Sequence, residues 1–328
     1  MTLLQLPPET LYQIFNHIGS SFFRSDLSRL TVCRQWSEFA YTACFRDFYV
    51  TQNILRRLLS SPYAESSLGL VKDNAETLAL NLKGFEDWDS LLDSDTSDWD
   101  GAHGQAKRAE WTRKLNNDLV YFGSIIQQSR KLRIVRIQAT SELHPLDRFL
   151  ERRDYLCLSP ICTFLSASNI TSLELDLCGT RLIPHQSQDH VCPSIAALLS
   201  TLRRLRLRLR SICADVLKPP QEHQQDYTNQ LRLDQVLINL SLYDESPSVT
   251  ITSAAHATCC DSSMDNSGGS RFLQLKADLE EQARVLVAQM AAPKMVRILT
   301  HVPPRKEIEM RAFDALTGRY IRLREGAD

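Results

Sequence analysis

The sequence holds few glycines and none of the short motifs that mark common enzyme families. Only 11 of its 328 residues are glycine, and the patterns G-x-x-x-x-G-K-[ST], G-x-G-x-x-G, G-x-S-x-G and H-E-x-x-H do not occur. Phosphate-binding glycine loops, the nucleophile turn of hydrolases and the helical zinc site of metalloproteases are therefore not expected. We predict a protein that is not an enzyme and that has no cofactor.

Long hydrophobic runs and an excess of one charge are also lacking. No apolar stretch approaches the roughly 18 residues of a membrane span, and the start, with Pro7, Pro8 and Glu9, does not resemble a secretory signal. The 38 basic and 39 acidic residues favour neither nucleic acid nor a membrane as a partner. Nine scattered cysteines do not suggest a disulfide framework. We expect a cytoplasmic or nuclear protein, or one found in both.

Apolar residues in the first fifty positions recur at helical spacing, which predicts three short helices over residues 1–50. Pro8 suits the first turn of the first helix, and Asp26 suits the cap of the second. A polar break at residues 19–21 separates them. The apolar positions are Leu11, Ile14, Phe15 and Ile18, then Leu27, Leu30 and Cys33, and finally Trp36, Phe39, Ala40 and Ala43.

Two segments of this region resemble the F-box. They are LPPETLYQIFNHI at residues 6–18 and DLSRLTVCRQW at residues 26–36. The family pattern is Leu-Pro, an acid, Leu, Ile-Phe, Leu or Ile, then Asp-Leu, Leu, Val-Cys-Arg and Trp, and nearly every position is matched in order. The sequence departs from it at residues 19–25, where the link between the first two helices is a few residues longer than usual.

The resemblance implies a module that binds a Skp-type adaptor and, through it, the cullin and RING subunits of an SCF-type ubiquitin ligase. Other subunits of that complex carry out the transfer chemistry. Trp36 is implied to lie nearer the module's own core. Spacing alone leaves open that all these side chains pack within the module or on the next domain. The implied adaptor-facing residues are Leu6, Pro7, Leu11, Ile14, Phe15, Leu27, Leu30, Val32 and Cys33.

Residues 51–328 show a recurring L-x-x-L-x-L frame with helical patterns between its copies, clearest at residues 111–126 and 195–199. Strand followed by helix, repeated, predicts an irregular leucine-rich-repeat-like α/β solenoid after the F-box, within an α+β repeat class. The uneven spacing of the frames leaves open a plain α/β domain with a parallel sheet. The frames are Ala75, Leu78, Leu80; Leu132, Val135, Ile137; Ile170, Leu173, Leu175; Leu202, Leu205, Leu207; and Leu237, Leu240, Leu242.

The last part of the chain predicts a longer amphipathic helix over residues 272–290, strands near 295–299 and 308–313, and a terminal hairpin at Gly318. Flexible loops are predicted near residues 86–105 and 245–270. The first holds seven acids and no base at positions 86–100, and the second is rich in Ser, Thr, Gly and Asn.

Leucine and arginine alternate at residues 204–210. A strand here directs Leu205, Leu207 and Leu209 inwards and forms an outward row of guanidinium groups. Such a row could bind a phosphorylated or acidic segment of an unknown protein substrate. The alternative, which we favour, is a solvated strand face neutralised by the acidic residues 86–100. The row consists of Arg204, Arg206, Arg208 and Arg210.

One group of cysteines and histidines is close enough in sequence to suggest a metal site: Cys178, His185, His190 and Cys192. Its spacing matches none of the structural zinc patterns, in which ligands come in close pairs. We therefore expect no metal site and treat these residues as an ordinary loop. Cys259 and Cys260 lie in the second predicted loop, and nothing near them suggests an activated thiol.

Together these observations predict a substrate-recognition adaptor of an SCF-type ligase, with an F-box over residues 1–50 and a target-binding domain over residues 51–328. A second interpretation is a repeat scaffold that assembles through an F-box-like module without ubiquitin transfer. A third is an α/β enzyme with a helical cap. A deep pocket with titratable groups of shifted pKa would favour that third interpretation.

Overall fold

The computed structural model describes residues 5–85, 102–140, 154–184, 189–220, 230–242, 256–260, 268–302 and 309–323. Within these residues the chain has a mixed α/β fold. Its centre is a nine-stranded, mostly parallel sheet, with helices packed on one face.

The N-terminal module contains α1 (Pro8–Ile18), α2 (Ser20–Ser25), a 3-10 helix (Leu27–Leu30) and α3 (Arg34–Arg46). Gly19, with φ of 81°, ends α1. The lengthened link at residues 19–25, in which residues 19–21 were expected as a polar break, forms α2 from Ser20 onwards instead. The reason is Phe23, which is buried and stacks on Phe15 with ring centroids 5.7 Å apart. The second predicted helix is only a 3-10 turn.

The sheet begins inside the range assigned to the first module, because β1 follows α3 directly. The remaining elements are β1 (Asp47–Thr51), α4 (Gln52–Ser60), α5 (Ala64–Asn74), β2 (Thr77–Leu82), α6 (Ala102–Ile126), β3 (Ile134–Ala139), β4 (Leu156–Cys157), α7 (Leu158–Leu165), β5 (Ser172–Leu177), β6 (Leu182–Ile183), α8 (Cys192–Ala196), β7 (Arg204–Leu209), a second 3-10 helix (Ala214–Leu217), β8 (Gln235–Asn239), α9 (Gly268–Gln289), β9 (Met295–Val302), β10 (Glu309–Asp314) and β11 (Arg319–Arg322).

Neighbouring strands of the large sheet follow the order of the chain: β1, β2, β3, β5, β7, β8, β9, β10 and β11. The pairs from β1 to β9 are parallel, and the last three strands form an antiparallel meander. Gly318, with φ of 68°, makes the predicted terminal hairpin possible. The short strands β4 and β6 pair separately.

The starts of the parallel strands from β2 to β9 repeat one backbone arrangement. The carbonyl of Glu76 accepts hydrogen bonds from the N–H groups of Arg133 and Ile134, at 2.9 and 3.0 Å. The carbonyls that receive the same pair of bonds from the following strand belong to Arg133, Thr171, Arg203 and Asp234. Because the five junctions from β2 to β9 are equivalent, these strands stack in one register.

The first four predicted frames coincide with β2, β3, β5 and β7, and all their members are buried. The fifth was wrong in register. Leu237 lies on the other face of β8, and the frame is formed by Leu233, Val236 and Ile238. Pairing decides this, since Val236 lies opposite Leu205, and a shift of one residue would turn every side chain to the opposite face.

Two hydrophobic cores hold the molecule together. The larger joins the inward side chains of the strands to α4 through α9, whereas the smaller lies within the N-terminal helices. Phe45 of α3 packs against both. The sheet residues that alternate with the buried positions face away from the helices; we call this side the open face.

The predicted helices over residues 111–126 and 272–290 are confirmed as α6 and α9. Both predicted loops were drawn too wide. Residues 102–105 belong to α6, residues 268–270 to α9, and residues 256–260 are hydrogen-bonded to the sheet; the other positions of both loops lie outside the described residues. No helix in the described part of the chain is long and apolar enough to cross a membrane.

Candidate functional site

The N-terminal module exposes aliphatic side chains around its 3-10 turn. Leu27 and Val32 are 63% and 65% exposed. We call these two residues the exposed apolar pair. Of the other predicted adaptor-facing residues, Pro7 is exposed, whereas Leu6, Ile14 and Cys33 are half-buried. Because both members of the exposed apolar pair lie within the F-box-like motif, they are the candidates for a partner surface on this module.

Three of the predicted surface residues, Leu11, Phe15 and Leu30, are buried in the module's own core instead. The ring of Phe15 lies 4.5 Å from that of Trp36, which was expected near the core. A small module needs these side chains to fold, so they support the surface from beneath. Helical periodicity identifies the apolar stripe of a helix. It does not distinguish side chains buried in the module's own core from those that a partner would cover.

The turn that carries the exposed apolar pair is held by local hydrogen bonds. The carboxylate of Asp26 accepts from the backbone N–H and the hydroxyl of Ser28, at 3.0 and 2.7 Å, and these bonds lower the pKa of Asp26. The guanidinium of Arg29 donates to the carbonyl of Phe22 at 2.7 Å. The Trp36 indole donates to the Arg29 carbonyl. A surface ordered before binding loses less entropy when a partner docks.

The four arginines alternate with buried leucines on and just after β7, as predicted. Arg204 and Arg206 are exposed, whereas Arg208 and Arg210 are half-buried. Acidic residues on β5 face the row, because Glu174 lies opposite Arg206 and Asp176 opposite Arg208 in the strand register. The acidic partners therefore come from the neighbouring strand. Residues 86–100, which we expected to neutralise the row, lie outside the described residues.

Ion pairs along the row are formed with Glu174, Asp176 and Asp154. Their N–O distances are 4.0 Å for Arg206 with Glu174, 3.5 Å for Arg208 with Asp176, and 3.5 Å for Arg210 with Asp154. The same Glu174 also lies 3.3 Å from Arg136 on β3. One carboxylate thus serves two guanidinium groups.

Residues that lie opposite one another in the strand register form a row across the open face, and this row includes Arg136, Glu174 and Arg206. We call it the central row. From β1 to β9 it contains three arginines and one carboxylate, and Asp314 on β10 lies opposite Arg297 in the register, so guanidinium groups still outnumber carboxylates. Its members are Tyr49, Ala79, Arg136, Glu174, Arg206, Leu237 and Arg297.

Two members of the predicted Cys/His group meet two cysteines that are distant in sequence. The ligand-type atoms of His190, Cys192, Cys213 and Cys260 all lie within 4.8 Å of one another. Cys178 is buried but is not part of this group, and His185 lies outside the described residues. Spacing in sequence could not find the set, because its members come from three separate connections.

The three thiols of this group perturb one another. Hydrogen bonds from Cys213 and Cys260 lower the pKa of Cys192, and the contact with Cys192 raises the pKa values of Cys213 and Cys260. All three cysteines are free of disulfides.

A second polar cluster lies at the carboxyl ends of β8 and β9. The buried imidazole of His301 stacks on that of His256, with centroids 4.0 Å apart, and its Nδ1 lies 2.8 Å from the hydroxyl of Ser241. Burial, and then the neighbouring His256, lowers the pKa of His301 to about 4. With Ser241 and His301 only 3% and 4% exposed, this pair is closed to a substrate.

One shallow cavity of about 300 Å³ opens between α4 and α6. Its charged lining consists of Arg56, Lys107, Glu110 and Lys114, beside the ring of Trp111. The lining offers one carboxylate and no serine, cysteine or histidine. The cavity is shallow, so it is not the deep pocket that would favour the enzyme interpretation.

Neither a scan against models of protein families nor a search of curated proteins found a match to this chain. The F-box resemblance therefore depends on the residues at positions 6–36 themselves.

Proposed function

We propose that the chain is a substrate-recognition adaptor of an SCF-type ubiquitin ligase. Its F-box-like module binds a Skp-type adaptor, which joins it to the cullin and RING subunits, and its second domain binds a target protein. The observation that carries the proposal is the exposed apolar pair, Leu27 and Val32, on a rigid turn within the F-box-like motif.

The second domain is proposed to be an irregular leucine-rich-repeat-like solenoid. Chain-order strands and the repeated backbone bonds at their starts support this, because each unit then contacts only its neighbours. Unequal connections between the strands explain why the frames recur at irregular intervals.

The open face is the proposed target surface. Its central row has more guanidinium groups than carboxylates, which suits an acidic or phosphorylated segment of the target. In this arrangement the ligase would act by proximity, since one scaffold holds the target near the ubiquitin-conjugating enzyme.

Co-precipitation with purified Skp-type adaptor and cullin tests the first step. We expect wild-type chain to bind and Leu27→Asp/Val32→Asp to lose most of the binding, because each change puts a charge into an apolar interface. The matched control is Leu273→Asp, since Leu273 on α9 is also 65% exposed but lies outside the module.

Circular dichroism should check that the variants are folded. We expect the spectra of the double variant and of the Leu273→Asp control to match that of the wild type. A folded wild type that captures no adaptor would exclude the ligase function. Capture of the adaptor without cullin would indicate the scaffold function, in which the module serves assembly alone.

A further inference from the structure

The connections beyond the carboxyl ends of β5, β7 and β8 converge on one compact group of metal-type ligands. It contains the imidazole of His190 and the thiols of Cys192, Cys213 and Cys260. His190 and Cys192 lie at the start of α8, Cys213 directly precedes the second 3-10 helix, and Cys260 follows a segment bound to the sheet edge. Residues 192 and 260 are 68 positions apart.

The distances match those of a tetrahedral site. The Cys192 and Cys260 sulfurs are 3.7 Å apart, and the Cys213 sulfur lies 3.9 Å from Nδ1 of His190. Four ligands at about 2.3 Å from a central zinc ion lie roughly 3.8 Å from one another. With every ligand pair already within 4.8 Å, side-chain shifts of about 1 Å complete the tetrahedron.

We propose that His190, Cys192, Cys213 and Cys260 form a structural zinc site. Four protein ligands fill a tetrahedral shell and leave no position open for substrate, which is the pattern of a structural rather than a catalytic ion. Thiolate and imidazole ligands in this geometry select Zn²⁺ over Mg²⁺ or Ca²⁺, which prefer oxygen. The expectation from sequence spacing, that no metal is bound, is replaced by this proposal.

Burial supports a site that excludes water. Cys192 and Cys213 are buried, and His190 and Cys260 are half-buried. Ile195 and Val216, on the helices that begin at or after Cys192 and Cys213, are fully buried in the same hydrophobic core as those two cysteines. The nearest carboxylate is that of Asp215, 3.6 Å from the Cys213 sulfur, and it is bound by Lys218 at 2.7 Å. Asp215 is therefore engaged, and Lys218 offsets part of the negative charge of three thiolates.

The ligands are held in place by bonds that do not need the ion. Ile212 donates to the Thr258 carbonyl at 3.0 Å, Thr258 to Arg210 at 2.8 Å, and Ala257 to Leu240 at 2.9 Å. Cys213 follows Ile212 directly and Cys260 lies two residues after Thr258, so backbone pairing brings their thiols together. When Zn²⁺ binds, each cysteine loses its S–H proton to solvent, and the imidazole binds through the lone pair of Nδ1.

A simple alternative is that the thiols are ordinary small core residues. That alternative does not explain why an imidazole nitrogen lies within 4.8 Å of three sulfurs, whereas an aliphatic neighbour would pack there equally well. A disulfide between Cys192 and Cys260 would need the sulfurs near about 2 Å and would leave one thiol over. A zinc ion uses all four groups.

The experiment measures metal content of the full-length chain, incubated with equimolar Zn²⁺ under reducing conditions and desalted. We expect about one zinc per chain, as a closed four-ligand site takes one ion. Cys213→Ser and His190→Ala should fall below roughly a tenth of an equivalent under the same treatment. Cys259→Ser is the matched control, because Cys259 is also half-buried in the same segment but lies outside the cluster, and it should keep its zinc.

A variant that fails to fold would lose zinc for that reason alone, so two further measurements are needed: Co²⁺ spectroscopy of the wild type and zinc binding by His190→Cys. Co²⁺ added to the wild type should produce the intense visible absorption and the sulfur charge-transfer band of tetrahedral thiolate coordination. His190→Cys should retain zinc, since four cysteines also form a structural site. A wild type that is folded by circular dichroism but retains no zinc and shows no such Co²⁺ spectrum would overturn the proposal. Zinc kept equally by Cys213→Ser and His190→Ala would overturn it too.

Discussion

The guanidinium of Arg208 lies 3.5 Å from the carboxylate of Asp176 on the neighbouring strand. Its Nε also donates to the backbone carbonyl of Ser241 at 3.0 Å. A single side chain therefore links β7 to β5 on one side and to the end of β8 on the other. Because the ion pair is half-buried, solvent screens it less than an exposed pair. This arginine stabilises the sheet in addition to lying in the proposed target surface.

Reversing the charge at this position should destabilise the protein. Arg208→Glu places two carboxylates opposite each other, and we expect the free energy of unfolding to fall by about 2 kcal/mol. Adding Asp176→Arg restores an ion pair of reversed polarity and should recover about 1 kcal/mol. Urea denaturation of the four proteins gives the coupling energy. Arg204→Glu is the control at an exposed position, and additive effects in the cycle would show that the pair does not interact.

Target capture should depend on the central row and not on Arg208. We expect Arg136→Gln/Arg206→Gln to reduce capture of acidic target proteins by about tenfold or more, because charge-assisted hydrogen bonds contribute about 1.5–3 kcal/mol each. Adaptor binding should be unchanged, because both residues lie on the sheet. Quantitative mass spectrometry of co-precipitated proteins measures this. If the variant captured as much target as the wild type, the arginines of the central row would be part of a solvated strand face and not of a target surface.

The N-terminal module should unfold separately from the sheet when its core is damaged. Phe15→Ala removes the ring that packs on Phe23 and Trp36, at an expected cost of about 3–5 kcal/mol. Hydrogen exchange should then rise over residues 8–46 while β2 to β7 stay protected, because the two cores are distinct clusters of buried residues even though Phe45 contacts both. Phe15→Leu should show a smaller change. Equal loss of protection in the sheet would mean that the two cores unfold together.

Acid should weaken the fold through His301. Burial, and then His256, lowers the folded-state pKa of His301 to about 4, whereas the unfolded chain titrates near about 6.5. Between these values the unfolded state binds more protons, so stability falls as the pH drops from about 6.5 towards 4. The loss is at most about 3 kcal/mol, from about 1.4 kcal/mol per pKa unit.

Chemical denaturation at several pH values measures this dependence. His301→Asn should flatten the slope between pH 4 and 6.5. The control is His17→Asn, because His17 is exposed, and it should keep the wild-type slope. An unchanged slope in His301→Asn would show that another group causes the acid sensitivity.

Sequence patterns identified the strands well because side chains in a strand alternate with a period of two. Leu205, Leu207 and Leu209 point inwards as predicted, and the same rule worked for β2, β3 and β5. The rule failed at β8, where Val236 and Leu237 are both apolar and adjacent. Alternation is therefore compatible with either residue facing the core. Only pairing with β7 selects between them. The polar composition around residues 256–260 predicted a flexible loop. These residues are instead held by backbone hydrogen bonds to parts of the chain that are distant in sequence.

The candidate sites divide in the same way. The F-box-like motif could be read from adjacent residues, but the exposure of Leu27 and Val32 and the burial of Leu11 depend on how the helices pack. By itself the sequence determined the alternation of strands and helices, since local periodicity is a property of neighbouring residues. Tertiary structure alone decided that Cys213 and Cys260 meet His190 and Cys192, because parallel strands bring their carboxyl ends to one edge however long the connections are.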